Sequence, residues 1–164
     1  MAEKAVIQIV GYKNSGKTTT SCEIIQRFAE KGWKVGSIKH DAHRFEVDYP
    51  GKDTWLHREA GAEVVAITSK DRTAIMEQRP SSLQDLLERI NGVDIVIVEG
   101  YKFESYPKVV LLRNEGDLPL LEQAQHVLAV STWFPFRHPT LPVVEKDQYQ
   151  QLFEIIECYI EKKR

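Results

Sequence analysis

The segment Gly11-Tyr12-Lys13-Asn14-Ser15-Gly16-Lys17-Thr18 constrains this chain more than any other, because it fits the pattern G-x-x-x-x-G-K-[ST]. Glycines at both ends let consecutive backbone N–H groups curl around phosphate oxygens. Ala5 to Val10, ahead of the loop, is apolar and β-branched. Lys17 to Lys31, behind it, has helical composition with Ile24, Ile25 and Phe28 on one face. Strand, glycine loop and helix in that order aim the positive end of the helix at an anion. With glycine near ~7% of residues, a chance match in a chain this long is on the order of 1%. The bland alternative is a glycine turn with an exposed lysine. The pattern predicts a site for a purine nucleoside triphosphate and Mg²⁺, with Lys17 on the β- and γ-phosphates and the Thr18 hydroxyl on the metal.

The remaining periodicities extend the same architecture. Gly32 stops the first helix and Lys34 to Lys39 reads as a second strand. His40 to Lys52 is polar and irregular. Asp53 can cap a short helix over Thr54 to Ala60, ended by Gly61. Glu63 to Thr68 and Arg72 to Glu77 form a hairpin around Ser69-Lys70-Asp71, which would make the sheet mixed. Ser82 with Asp85 resembles a capping box for a helix bearing Leu83, Leu86, Leu87 and Ile90, before the strand Asp94 to Glu99. Lys108 to Leu112 and Val127 to Val130 are further strands. Asp147 opens a last helix striped by Leu152, Ile155, Ile156, Tyr159 and Ile160. The expected fold class is α/β, a P-loop NTPase three-layer fold with a mainly parallel sheet plus a β-hairpin, in a single domain over residues 1–164. Ligands in such sheets sit at the carboxyl ends of the strands, here the loops after Val10, Lys39 and Glu99.

Composition narrows the partners. A formal net charge of -2 and a pI of about 6.2 leave no basic excess for nucleic acid or an anionic membrane. No apolar run approaches ~20 residues and the amino terminus lacks a signal-peptide layout, so a cytoplasmic protein is expected. Cys22 and Cys158 lack the spacing of a zinc knuckle or redox pair and are read as buried, inert thiols.

A magnesium-nucleotide site needs an acid beside the phosphate loop, at the end of a neighbouring apolar strand. Val93-Asp94-Ile95-Val96-Ile97-Val98-Glu99-Gly100 offers two carboxylates, separated by roughly 16 Å at ~3.3 Å per residue. Only Glu99 is at the ligand end, where it can hold a magnesium-bound water or orient the attacking water while Gly100 leaves room for the γ-phosphate. An ordinary strand-end acid is the alternative. Asp41, after the second strand, is a further magnesium partner. The expected catalytic set is Lys17, Glu99 and Asp41, and the expected metal set Thr18, Asp41 and Glu99. Lys39-His40-Asp41-Ala42-His43 could also ligate a transition metal through His40 and His43, but no cysteine or fourth ligand joins them. A loop that senses phosphate and contacts substrate, or a plain solvated loop, are the other readings.

Several segments together resemble the molybdopterin-guanine dinucleotide biosynthesis protein B family, MobB. They are Gly11 to Thr19, Lys39 to His43, Asp48-Tyr49-Pro50-Gly51-Lys52-Asp53-Thr54, Ala60-Gly61-Ala62, and Val98-Glu99-Gly100-Tyr101-Lys102 with Pro107-Lys108. The resemblance spans roughly the first two thirds of the chain, and nothing diagnostic follows Arg113. It implies a homodimeric GTP-binding protein with weak GTPase activity that assists attachment of GMP to molybdopterin beside a separate molybdopterin guanylyltransferase. The nucleotide contacts then run through Gly11, Lys13, Asn14, Ser15, Gly16, Lys17, Thr18, Thr19, His40, His43 and Gly100. Asp48, Lys52 and Lys102 become switch or cofactor contacts. Turn chemistry at Pro50-Gly51 and a solvated Lys102 are the alternatives.

Two departures from related patterns bear on the nucleotide. Related dimeric nucleotidases place a signature lysine directly after the first glycine, where this chain has Tyr12, with Lys13 one position later. The guanine-reading Asn/Thr-Lys-x-Asp pattern is also absent: Thr68-Ser69-Lys70-Asp71 has its lysine misplaced and Glu145-Lys146-Asp147 lacks the spacing. The preference for GTP therefore rests on the resemblance. A small-molecule kinase is the enzymatic rival, disfavoured because Arg58, Arg72, Arg79, Arg89 and Arg113 are scattered rather than gathered in a lid. A nickel-delivery GTPase would show a histidine-rich tract or a cysteine pair. A nucleotide-gated adaptor is compatible with the family reading.

Overall fold

A computed structural model of the chain describes residues 4–41 and 44–163. The elements follow in the order β1 (Ala5–Gly11), α1 (Lys17–Glu30), β2 (Val35–Lys39), α2 (Asp53–Glu59), β3 (Val64–Thr68), β4 (Thr73–Glu77), α3 (Leu83–Arg89) and β5 (Ile95–Glu99). Then come β6 (Lys108–Leu112), a 3-10 turn (Glu115–Asp117), α4 (Leu118–Gln123), β7 (Val127–Thr132), β8 (Val143–Glu145) and α5 (Tyr149–Glu161). Contacts gather into two compact units, one of Met1–His40 with Leu87–Arg164 and one of Asp41–Leu86.

The first unit is built on a six-stranded sheet in the order β2-β5-β1-β6-β7-β8. Every pairing in it is parallel. The β3–β4 hairpin forms as expected but, among the described residues, makes a two-stranded antiparallel sheet of its own, in register from Val64↔Glu77 to Thr68↔Thr73. The anticipated mixed sheet is thus a parallel sheet and a separate ribbon. α2 and the ribbon belong to the second unit.

Alternation along β1 divides the first unit into layers. Ile7 and Ile9 join Ile24 and Phe28 of α1 and Leu152, Phe153, Ile156 and Ile160 of α5 in one core cluster. Val10 joins Val110, Val130 and Leu120 of α4 in the other. Phe28 sets its ring edge-on to Phe153, with centroids 4.8 Å apart, a favoured aromatic geometry. The two cysteines depart from expectation: both are free and exposed. Each lies two residues from a buried isoleucine, Ile24 or Ile156, and a 200° turn of helix carries it to the solvent side.

Three helix starts show how the termini are satisfied. Ser82 and Asp85 form the expected capping box, with Asp85 N donating to Ser82 Oγ at 3.0 Å and Ser82 N donating to Asp85 Oδ2 at 3.1 Å. Asp53 is the first residue of α2 rather than its cap, and no side chain caps that helix. Asp147 likewise does not open α5, which begins at Tyr149 after Gln148. It occupies a left-handed turn at φ 71 instead. α4 and β8 escape the period rules because they are only 6 and 3 residues long.

Candidate functional site

The loop between β1 and α1 is shaped by residues that cannot carry other side chains. A Cβ on Gly11 would lie 2.2 Å from Ser15 Oγ, and Gly16 sits at φ +91. Asn14 also takes a left-handed turn, at φ 62. The folded-over Ser15 is 2% exposed, and its hydroxyl has no hydrogen-bond partner among the described residues. A buried hydroxyl without a partner costs about 1–3 kcal/mol. Such a hydroxyl suits a loop whose polar groups await an anion.

Lys17, the first residue of α1, folds back so that Nζ donates to the Tyr12 carbonyl at 2.8 Å. Burial lowers its pKa; Glu99 opposes that shift, while Lys102 and Lys39 add to it. Thr18 Oγ1 donates to Glu99 Oε1 at 3.0 Å, and Lys39 Nζ lies 3.4 Å from the same oxygen. Because β5 lies beside β1, with Ile9 opposite Glu99, the carboxylate ends its strand next to the loop. Glu99 is 8% exposed. Lys17 and Lys39 thus interact with one carboxylate, and Lys102 adds further positive charge near Lys17, a balance that favours an added anion. In the sequence Lys39 stands out as a strand end and as the start of the Lys39-His40-Asp41-Ala42-His43 segment, with no site role of its own.

These donors fit a magnesium-nucleotide. Mg²⁺ keeps several waters and takes one or two protein oxygens plus phosphate, and Thr18 with Glu99 supplies that number. Among the described residues no three His, Cys, Asp or Glu side chains gather in the manner of a closed metal cage. Asp94, expected to begin this strand, lies just before β5 at the end away from Glu99, accepting the Lys34 amide at 2.7 Å on Oδ2.

The segment after Glu99 is held from beneath by polar side chains of the sheet. Gln8 Nε2 donates to Gly100 O at 3.1 Å and to Tyr101 O at 2.7 Å. Lys108 Nζ donates to Lys102 O at 3.3 Å and also to Glu104 O. Both side chains are fully buried, and they are direct neighbours across β1 and β6. Tyr101 takes φ 54, and Lys102 Nζ then reaches 4.4 Å from the Tyr12 ring centroid. Lys102 is therefore tied to the phosphate loop rather than free in solvent. Gly100 approaches His40 closely, since a Cβ would meet His40 Cβ at 3.2 Å. The His40 ring lies against Tyr101 with centroids 4.5 Å apart.

Other expected contacts are placed differently. Lys13, Asn14 and Thr19 are exposed on the loop and first turn. Asp41, Asp48 and Lys52 belong to the second unit, and His43 lies outside the described residues. Asp48 Oδ1 accepts the Tyr49 amide at 2.9 Å and Thr54 Oγ1 at 3.1 Å. Lys52 N donates to Tyr49 O at 3.1 Å, closing the Pro50-Gly51 turn. Their visible work is turn chemistry.

On the opposite side of β1 from Glu99, a cleft of about 360 Å³ opens between the loop and the ends of β7 and β8. Asn14, Ser15, Gly16 and Thr19 form one wall; Trp133, Lys146, Asp147 and Tyr149 form the other. None of those four was singled out as a site residue from sequence. The Lys146-Asp147 pair had the wrong spacing for a known pattern.

A family model described as molybdopterin guanine dinucleotide synthesis protein B, MobB, matches residues 6–133. A molybdopterin-guanine dinucleotide biosynthesis adapter protein of Haemophilus influenzae is 40% identical over 134 residues, covering 79% of this chain and 75% of the relative. Its Escherichia coli namesake is 36% identical over 146 residues, covering 82% and 83%. The crystal structure of Bacillus subtilis MobB superposes with a TM-score of 0.81 at 29% identity, covering 94% of this chain and 96% of that one. With its phosphate loop, Glu99 and Lys102 held in one array and two thirds or more of such relatives matched, this chain belongs to the MobB family.

Proposed function

We propose that this chain is a GTP-binding adapter with weak GTPase activity that assists attachment of GMP to molybdopterin in molybdopterin guanine dinucleotide biosynthesis. It acts in the cytoplasm as a homodimer, beside a molybdopterin guanylyltransferase. The observation that carries the nucleotide reading is the Thr18–Glu99 hydrogen bond of 3.0 Å, set beside Lys17, whose Nζ donates to the Tyr12 carbonyl of the same loop. The relatives' names support the adapter role.

In this reading the loop amides, Ser15 Oγ and Lys17 hold the phosphates, and Thr18 and Glu99 hold Mg²⁺. Bound magnesium would supply charge neutralisation of the phosphates. Glu99 orients a water by accepting its hydrogen bond, and Lys102 stays against Tyr12 where it adds positive potential. His40 and Gly100 shape the adjoining wall.

Titration of the purified protein with GTP and ATP, with and without Mg²⁺, tests the reading. Wild type should bind GTP more tightly than ATP and require Mg²⁺. Lys17→Ala should weaken GTP at least tenfold, about 1.4 kcal/mol. Unchanged affinity in a folded Lys17→Ala protein would refute the phosphate-loop role. ATP preference with transfer to an acceptor would favour a kinase.

A further inference from the structure

The sheet order gives the phosphate loop two unlike sides. On the β5 side stand Glu99, Lys39 and the Thr18 hydroxyl, the charged end suited to metal and terminal phosphate. On the β6–β8 side lies the cleft, lined by loop residues and by the turn after β8. A nucleotide laid along the loop with its terminal phosphate at Glu99 extends its sugar and base away from β5, into that cleft. A volume of about 360 Å³ lies within the range of small-ligand pockets. Ser15 contributes a wall and its partnerless hydroxyl.

From this we infer that the cleft is the nucleobase site and that Asp147 makes it selective for guanine, an inference resting on the triphosphate reading above. Trp133 is 42% exposed at the end of β7 and offers the π surface on which a purine stacks. Lys146 Nζ stands 4.1 Å from that ring's centroid, so the aromatic wall and the acidic turn are one unit. Asp147 Oδ1 accepts the Tyr149 hydroxyl at 2.8 Å and Oδ2 stands 3.8 Å from Lys146 Nζ; these partners orient the carboxylate, and each oxygen keeps a further lone pair for a ligand. Burial foremost, and then the bond to Asp147, push the Tyr149 phenol up to about 12, so it remains a donor throughout the physiological range.

The selectivity follows from donor and acceptor counts. A carboxylate only accepts. The Watson–Crick edge of guanine presents two adjacent donors, N1–H and the 2-amino group, which a carboxylate can take in parallel. Adenine sets an acceptor nitrogen beside its one donor amino group, so the second carboxylate oxygen meets a lone pair. Inosine lacks the 2-amino group, and xanthine replaces it with a carbonyl. An asparagine at 147 would offer that carbonyl an N–H. It also keeps the fold, because φ 71 is a conformation that Asn and Asp enter more easily than other side chains.

The test is equilibrium binding of GTP, ITP, XTP and ATP with Mg²⁺ to wild type, Asp147→Asn, Trp133→Ala and Lys17→Ala, each checked for folding by circular dichroism. Wild type should rank GTP over ITP, with XTP and ATP weakest. Asp147→Asn should lose at least tenfold for GTP and gain at least tenfold for XTP. Trp133→Ala should weaken all four by a similar factor, as loss of stacking does. If Lys17→Ala loses binding but Asp147→Asn ranks the nucleotides as wild type does, the base assignment is overturned and the phosphate-loop reading stands. Equal weakening of all four by Asp147→Asn also overturns it. If wild type binds none of the four, both readings fall together.

Discussion

Replacing Lys108 by methionine separates stability from positioning. The ammonium is fully buried and donates to the carbonyls of Lys102 and Glu104. Two hydrogen bonds from a charged donor are worth about 1.5–3 kcal/mol each, but burying an ammonium costs several kcal/mol. The two nearly cancel, so methionine of similar length should change global stability by no more than about 1 kcal/mol, or ~2–4 °C in Tm. The loop has no such compensation. With its anchor gone, residues 101–105 should open more easily by at least about 1.4 kcal/mol, a tenfold rise in amide exchange. The Glu104 amide, which donates to Tyr101 O at 3.1 Å, is the reporter. Burial also lowers the Lys108 pKa, with Glu104 opposing. A folded-state value below the ordinary 10.5 means the unfolded chain holds more proton in between. Stability from this group is therefore gained as pH rises through that window, and Lys108→Met should abolish the gain. Hydrogen exchange and thermal melts at neutral and alkaline pH measure both effects. Unchanged exchange at Glu104, or a Tm loss well beyond ~8 °C, would show Lys108 to be an ordinary core residue.

Glu99→Gln should lower single-turnover GTP hydrolysis while leaving GTP affinity largely intact, because the amide keeps the shape but not the charge beside Thr18. Asp94→Asn should leave both nearly unchanged, since its side chain holds the Lys34 amide at the far end of β5. Equal loss in the two variants would refute the assigned catalytic end of β5. In the second unit, the Arg58 guanidinium foremost, and then the Asp48 amide, hold the Glu46 carboxyl at about 2, below its ordinary 4.5. Its contribution is present above 4.5 and lost as pH falls from there toward 2. Protection of the 47–49 amides relative to their intrinsic exchange rates should therefore fall across that acid window in wild type and be low throughout in Glu46→Gln. An acid transition unaltered by the substitution would count against the pair.

Elements with a period were legible in the sequence and contacts between elements were not. β1, α1 and β5 announced themselves through apolar spacing, and the loop through glycines that no other residue could replace. The β3–β4 hairpin was recognisable locally, yet which sheet it would join depends on tertiary pairing that no local pattern encodes. The cysteine error has the same origin: a small apolar side chain is assigned to the core by type, whereas helix phase decides its face. Asp147 was read as the opening of the last helix because acids favour such positions, whereas α5 begins only at Tyr149. Here the acid reaches the cleft through a left-handed turn at φ 71, directly after Lys146.

Gln8 and Lys108 were the polar interruptions of two apolar strands, and their position explains why apolar side chains would not serve. Well-packed hydrophobic residues at two buried positions would stabilise the sheet as well or better, and Gln8 Oε1 has no hydrogen-bond partner among the described residues. What they supply instead is registration. Gln8 lies on the same strand as Gly11, about 10 Å along it at ~3.3 Å per residue, so the strand that launches the phosphate loop also grips Gly100 and Tyr101. Lys108, its neighbour across the parallel pair, grips Lys102 and Glu104. The backbone after Glu99 is consequently indexed to the phosphate loop through two rigid strands. Lys102 reaches Tyr12 because this indexing, and not its own flexible stem, determines where its Cα stands.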